Sequence, residues 1–174
     1  MKLETKSKTI FAVVTLGGHD DDSAYFFEMA QSIYKVMDEI GAVRYAFILH
    51  DRDYHEDGTL KTPHFHIYAE TNASGKRLGT YLNEIAKGLG VNTLAVSIDK
   101  PTDKEACIQY LIHKNAPEKV QYNLEEVRTN IPMDELKAIM EHETTAWSVD
   151  YIREVWTTTE GNKWKFIKVI AQCR

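Results

Sequence analysis

Four short runs of apolar and β-branched residues alternate along the chain with two segments whose apolar positions recur every three or four residues. The first run, Lys8 to Leu16 (KTIFAVVTL), is followed by Gly17-Gly18 and reads as a buried strand ending in a turn. Asp20 to Ser23 offers helix caps, and Phe26, Met29, Ala30, Ile33, Met37 and Ile40 then form an apolar stripe up to Gly41. That spacing predicts an amphipathic helix. Arg44 to His50 is a second strand. Asp57-Gly58 marks a turn into a third, Pro63 to Glu70, antiparallel to it. Ser74 caps a helix lined by Leu78, Leu82, Ile85 and Leu89, and Asn92 to Ile98 is a fourth strand. Thr102 and Glu105 have capping-box spacing and open a further helix through Cys107, Tyr110 and Leu111, ending before Pro117.

The order β-α-β-β-α-β predicts an α+β, ferredoxin-like fold: an antiparallel four-stranded sheet with helices on one face. Strands one and three are central in that order. Past Asn130 the character changes. Met133 to Glu143 reads as an acidic helix, and Thr145 to Trp156 and Trp164 to Ala171 as two more; all three tryptophans lie here. This stretch is expected to be a small C-terminal helical appendage or the start of an oligomerisation region.

At 174 residues, 43% of them hydrophobic, the chain suffices for one domain with such an appendage. No apolar run approaches the length of a membrane span, and the N-terminus lacks a signal-peptide pattern. Cys107 and Cys173 make neither a metal-spaced pair nor a disulfide framework, so a reducing, cytoplasmic setting is expected. The net charge of −5 argues against nucleic acid until its distribution is considered. Residues 19–40 and 123–154 each carry −5, which leaves +5 on the rest.

The stretch HDRDYHEDGTLKTPHFH, His50 to His66, carries the most pointed chemistry. His64 and His66 face the same side of a strand, about 7 Å apart along it. His50 ends the neighbouring strand, and Asp53 can reach back from the turn. Three imidazoles and a carboxylate suit Mn²⁺, Mg²⁺ with waters, Co²⁺ or Zn²⁺, and the ligands alone do not choose. His55 is an alternative ligand in the hairpin, whereas His19 and His142 have no partner and read as surface residues. On its pattern alone, Tyr110 is a tyrosine packing its helix on the sheet. His113 and Lys114, three and four residues on, would share its face, and Tyr122 is a second tyrosine of the same kind. Arg44, Arg52, Lys61, Lys76, Arg77, Lys100, Lys104, Lys114 and Lys119 read singly as solvated charges. They bear on function only if the fold gathers them around the metal ligands.

Three motifs in order, FAVVTLGG, HDRDYHEDGTLKTPHFHIYAE and IQYLIHKNAPEKVQYNLEEVRTNI, resemble those of the HUH endonucleases, and most closely the replication initiators of rolling-circle plasmids from Gram-positive bacteria. The resemblance spans roughly residues 8–131. It implies a nicking and origin-binding domain over residues 1–131, with His50, Asp53, His64 and His66 as ligands of a divalent metal, Mn²⁺ or Mg²⁺. It implies Tyr110 as nucleophile, leaving a 5′-phosphotyrosine and a free 3′-hydroxyl on single-stranded or hairpin origin DNA. His113, Lys114 and Tyr122 are then candidate auxiliaries. Arg52, Lys61, Lys76, Arg77, Lys104 and Lys119 are candidate DNA contacts. Many relatives place a lysine three residues after the tyrosine, where this chain has His113. A host replication helicase and polymerase, and further copies of the chain, are the other partners in view. The residues alone also admit a metal-dependent phosphodiesterase that uses water, or a non-catalytic nucleic-acid-binding module.

Overall fold

The computed structural model describes residues 8–16, 23–88, 94–99, 101 and 103–142. The Gly17-Gly18 turn, the cap candidates Asp20 to Asp22, His19, Thr102, the three tryptophans with their two expected helices, and Cys173 lie outside the described residues. Contacts divide the chain into two units, Met1–His142 and Glu143–Arg174, and the first contains every described element.

Its elements are β1 (Lys8–Leu16), α1 (Ser23–Glu39), β2 (Arg44–His50), β3 (His64–Thr71), α2 (Gly75–Gly88), β4 (Leu94–Asp99), α3 (Lys104–Tyr110), β5 (Arg128–Thr129) and α4 (Met133–Glu141). All strand pairs are antiparallel, in the order β4-β1-β3-β2-β5. β1 and β3 are therefore interior, as the split β-α-β-β-α-β pattern requires. β3 is buried along its whole length, so its polar side chains must find partners inside the protein.

The two faces of the sheet carry separate cores. On one, Ile10, Ala12 and Val14 of β1, Phe47 of β2 and Phe65, Ile67 and Ala69 of β3 pack against α1 and α2. The α1 stripe supplies Met29, Ala30, Ile33, Met37 and Ile40, all buried, and Leu78 and Leu82 do the same from α2. Gly41, at φ 61°, ends the α1 segment. It turns the chain left-handed so that the Ala42 N–H reaches the Met37 carbonyl at 2.9 Å. On the other face, Ala46 and Ile48 of β2 and Tyr68 of β3 meet Ile108 of α3, Leu111, Tyr122, Val127, Ile131, and Leu136 and Ile139 of α4. The crossover helices thus share one face, while α3 and α4 cover part of the opposite one. The acidic helix expected in the appendage is α4. It packs in this second core because Leu136 and Ile139, three apart, form one apolar ridge.

Three local features depart from the pattern-based expectation. The cap of α3 is Asp103 rather than Thr102; its carboxylate accepts the Ala106 N–H at 2.9 Å. α3 ends at Tyr110, short of the expected length, and the chain turns through a left-handed His113 at φ 59°. Consequently Lys114 does not share a helical face with Tyr110. A fifth strand, β5, also pairs with β2. The ladder is continued by Asn130, whose Oδ1 accepts the Tyr45 N–H at 2.8 Å and whose own N–H donates to the Tyr45 carbonyl.

Phe47 is fully buried and meets the rings of Tyr34 and Phe65 at 5.0 and 6.3 Å. Phe47→Ala is expected to destabilise the domain by about 3–5 kcal/mol, because little can collapse into the space left in a sheet interior. Chemical denaturation checks this: the midpoint falls while the m-value stays constant.

Candidate metal centre

The register of β2 and β3 builds the centre. His50 lies directly opposite His64, and Ile48 opposite His66. With a two-residue side-chain period, His50, His64 and His66 must project from the same face. Their ring centroids lie 5.4 Å (His50 to His64), 4.3 Å (His50 to His66) and 5.0 Å (His64 to His66) apart. One nitrogen from each falls within 4.8 Å of the other two. Asp53, just past β2, turns back so that its Oδ2 lies 3.5 Å from His50 Nδ1 and 3.7 Å from His64 Nε2.

Hydrogen bonds to carbonyls fix the tautomers. His50 Nε2–H donates to the Leu111 carbonyl at 2.7 Å, and His64 Nδ1–H to the Thr62 carbonyl at 2.9 Å. This leaves lone pairs on His50 Nδ1 and His64 Nε2, the two atoms that face Asp53. His50 Nδ1 is buried without a hydrogen-bond partner, and so is His66 Nδ1. An unpaired polar atom in a packed interior costs free energy unless something binds it. Three imidazoles beside one carboxylate, with His50 and His64 each anchored through their other nitrogen to a carbonyl, form a donor set that fits a divalent cation.

Burial acts on the imidazoles in the direction a metal requires. Desolvation pulls His50 down to about 4 and His66 down to about 2, and it lowers His113 as well. All three are neutral at neutral pH. The unfolded chain, with histidines near 6.5, takes up protons below that pH that the folded domain refuses. Stability should therefore be flat above about pH 6.5 and fall as the pH drops from there towards 4. Calorimetry in EDTA checks this: the melting temperature of His66→Gln should fall less steeply over that window than that of the wild type.

Tyr110 enters from the end of α3. Its ring lies 5.5 Å from His66, 5.0 Å from His113 and 6.2 Å from Phe11. Lys119 donates a hydrogen bond to the Tyr110 hydroxyl, and its ammonium lies 4.7 Å from the ring centroid. The cation at the tyrosine is therefore Lys119, not Lys114, whose side chain is exposed. Turns carry the chain back: the Ala116 N–H bonds the His113 carbonyl, and the Lys119 N–H bonds the Ala116 carbonyl. His113 is buried against His50 at 4.4 Å, with Nδ1–H donating to the Val120 carbonyl at 2.7 Å. His50, Asp53 and His113 form a second grouping of ligand atoms within 4.8 Å of one another. Tyr122 stacks on His50 at 4.3 Å and 8°. Burial, foremost, pushes its phenol above the usual range.

The remaining candidates are dispersed. A groove of about 1060 Å³ runs from Asp53 past Tyr54, His55 and Lys61 to Glu118 and Lys119, so Lys61 and Lys119 border the centre. His55 lines that groove, away from the three-histidine group. Arg52 is adjacent but engaged, paired with Asp51 and Glu126. Lys104 bonds Glu70 at 2.6 Å. Lys76 and Arg77 lie on α2, behind the sheet, and Arg77 donates to Tyr81 and to the Glu39 carbonyl. His142 is exposed and pairs with Glu105 at 3.0 Å. Lys100 lies outside the described residues.

The sheet thus presents a histidine–aspartate centre to a tyrosine at the end of α3. Residues 24–135 match the family model for the origin-binding domain of plasmid replication proteins, and the chain belongs to that family. It is 31% identical over 81 residues to the replication protein RepB of Lactiplantibacillus plantarum, a match covering 47% of this chain and 34% of that protein. The aligned part is thus about a third of that relative's length. Among solved structures, the chain is similar to a REP-associated tyrosine transposase bound to a REP hairpin, with a TM-score of 0.44, 11% identity, and coverage of 65% of this chain and 67% of that one. Among the described residues, no helix is long and apolar enough to cross a membrane.

Proposed function

We propose that this domain binds its plasmid origin and nicks one strand there, transferring the 5′-phosphate to Tyr110 and releasing a free 3′-hydroxyl from which replication can start. The observation that carries the reading is the meeting of Tyr110 with the histidine centre: the ring lies 5.5 Å from His66, and the hydroxyl accepts from Lys119. His50, Asp53, His64 and His66 would hold Mn²⁺ or Mg²⁺. A bound divalent ion supplies electrophilic activation of the scissile phosphate and offsets charge that develops on its oxygens.

The protein's own groups supply the rest. The Tyr110 oxygen attacks phosphorus as the bond to the 3′-oxygen breaks, and the proton the phenol gives up is balanced by the one the departing 3′-oxygen takes up to leave as a hydroxyl. Because one phosphodiester replaces another, bond energy is retained and the strand can later be rejoined. Lys119 fixes the attacking oxygen and places a positive charge beside the reacting phosphate. The substrate would be single-stranded or the loop of an extruded hairpin, since a paired, stacked backbone cannot reach a recessed phenol. Lys61 and Lys119, flanking the groove, are the cations best placed to follow the strand. A host helicase and polymerase would extend the exposed 3′-end.

A labelled single-stranded oligonucleotide from the origin, incubated with Mn²⁺ and run on a denaturing gel, tests the reading. A protein-linked fragment and a free 3′-hydroxyl fragment are expected. Cleavage without any protein-linked product would mean that water is the nucleophile. Lys119→Met should lower the nicking rate about 10²-fold, the scale for removing one donor from a developing charge, with oligonucleotide binding changed only a few-fold. Single-turnover rates and anisotropy titrations separate the two.

A further inference from the structure

We infer that Tyr122 is a positioning residue for the metal centre, holding Asp53 and His50 in their ligating arrangement, and not a second nucleophile. The inference rests on the metal-centre reading above. Three contacts support it. The Tyr122 hydroxyl donates to Asp53 Oδ1 at 3.1 Å, which leaves Oδ2 as the oxygen turned towards His50 Nδ1 and His64 Nε2. The Tyr122 ring lies flat on the His50 imidazole at 4.3 Å. Together with the bond from His50 Nε2 to the Leu111 carbonyl, this stack fixes the ring plane and hence the direction of the Nδ1 lone pair.

Tyr122 is itself held from the opposite side. Its oxygen accepts the Arg52 N–H at 3.1 Å, so both of its hydrogen-bonding roles are taken. The Arg52 guanidinium covers the ring at 4.6 Å and is tethered by Asp51 and Glu126. Only 4% of Tyr122 is exposed. A phenol enclosed in this way has no open side for a phosphate to approach, whereas partners that orient ligating carboxylates and imidazoles commonly govern metal affinity. Tyr110 and Tyr122 therefore divide the labour: one faces the substrate and the other holds the ligands.

The test is Mn²⁺ affinity of the whole chain without DNA, measured by electron paramagnetic resonance for the wild type, Tyr122→Phe, Asp53→Asn and the double variant. Phenylalanine keeps the stack on His50 and removes only the hydroxyl. Tyr122→Phe is expected to weaken Mn²⁺ binding about 10- to 100-fold. In the Asp53→Asn background the same change should have much less effect, because the hydroxyl acts through that carboxylate. The Mn²⁺ concentration for half-maximal nicking should rise while the rate at saturating Mn²⁺ is retained within a few-fold. Wild-type affinity in Tyr122→Phe, or an equal loss in both backgrounds, overturns the inference and leaves the proposed function standing. A wild-type chain that does not bind Mn²⁺ overturns both.

Discussion

Tyr110→Phe is expected to abolish the protein–DNA adduct and to lower nicking by a factor on the order of 10⁴ or more, the scale of losing a nucleophile. The substitution removes one oxygen and keeps the ring, so the contacts with Phe11, His66 and His113 survive. Mn²⁺ affinity and oligonucleotide affinity should stay within a few-fold of wild type. The separation is what makes the variant informative: binding should be intact and the proposed metal ligands in place, while the proposed attacking oxygen, with the hydrogen bond it accepts from Lys119, is absent. Normal cleavage by Tyr110→Phe would remove this tyrosine from the mechanism.

Loss of the metal should be as severe. His64→Ala removes a lone pair that faces Asp53, and EDTA removes the ion from the intact site. Both are expected to reduce nicking to background. His64→Ala should also weaken Mn²⁺ binding by at least 10- to 100-fold, the scale for disturbing even the outer partners of a metal site. The thermal signature should differ between the two proteins. Mn²⁺ at saturating concentration should raise the melting temperature of the wild type, because it binds only the folded arrangement, and should leave that of His64→Ala nearly unchanged. Undiminished cleavage in EDTA would contradict the assignment of the histidines.

The core of this centre is legible in the sequence because strands have a rigid side-chain period. His64 and His66 on one strand must share a face. A short antiparallel connection through Asp57-Gly58 then brings His50 opposite His64. The α1 stripe and the Gly41 stop are readable for the same kind of reason, since periodicity and a left-handed position are local properties. Lys119 is not readable as the partner of Tyr110. Helical spacing points instead to His113 and Lys114, and nothing local reveals that the helix stops at Tyr110 and that His113 adopts φ 59°. The roles of Tyr122 and Asn130 are hidden likewise. Each depends on a contact with a residue 69 or 85 positions away in the chain, and side-chain pairing at that separation leaves no periodic trace. β5 is two residues long, too short to show alternation.

The most direct test is to identify the residue that carries DNA after cleavage. The intact protein is incubated with origin oligonucleotide and Mn²⁺, digested with protease and nuclease, and the nucleotide-bearing peptide is sequenced by mass spectrometry. The modified residue should be Tyr110, in the peptide containing Cys107 to Lys114. A nucleotide on Tyr122 or any other side chain, or cleaved DNA with no modified peptide, would contradict the account.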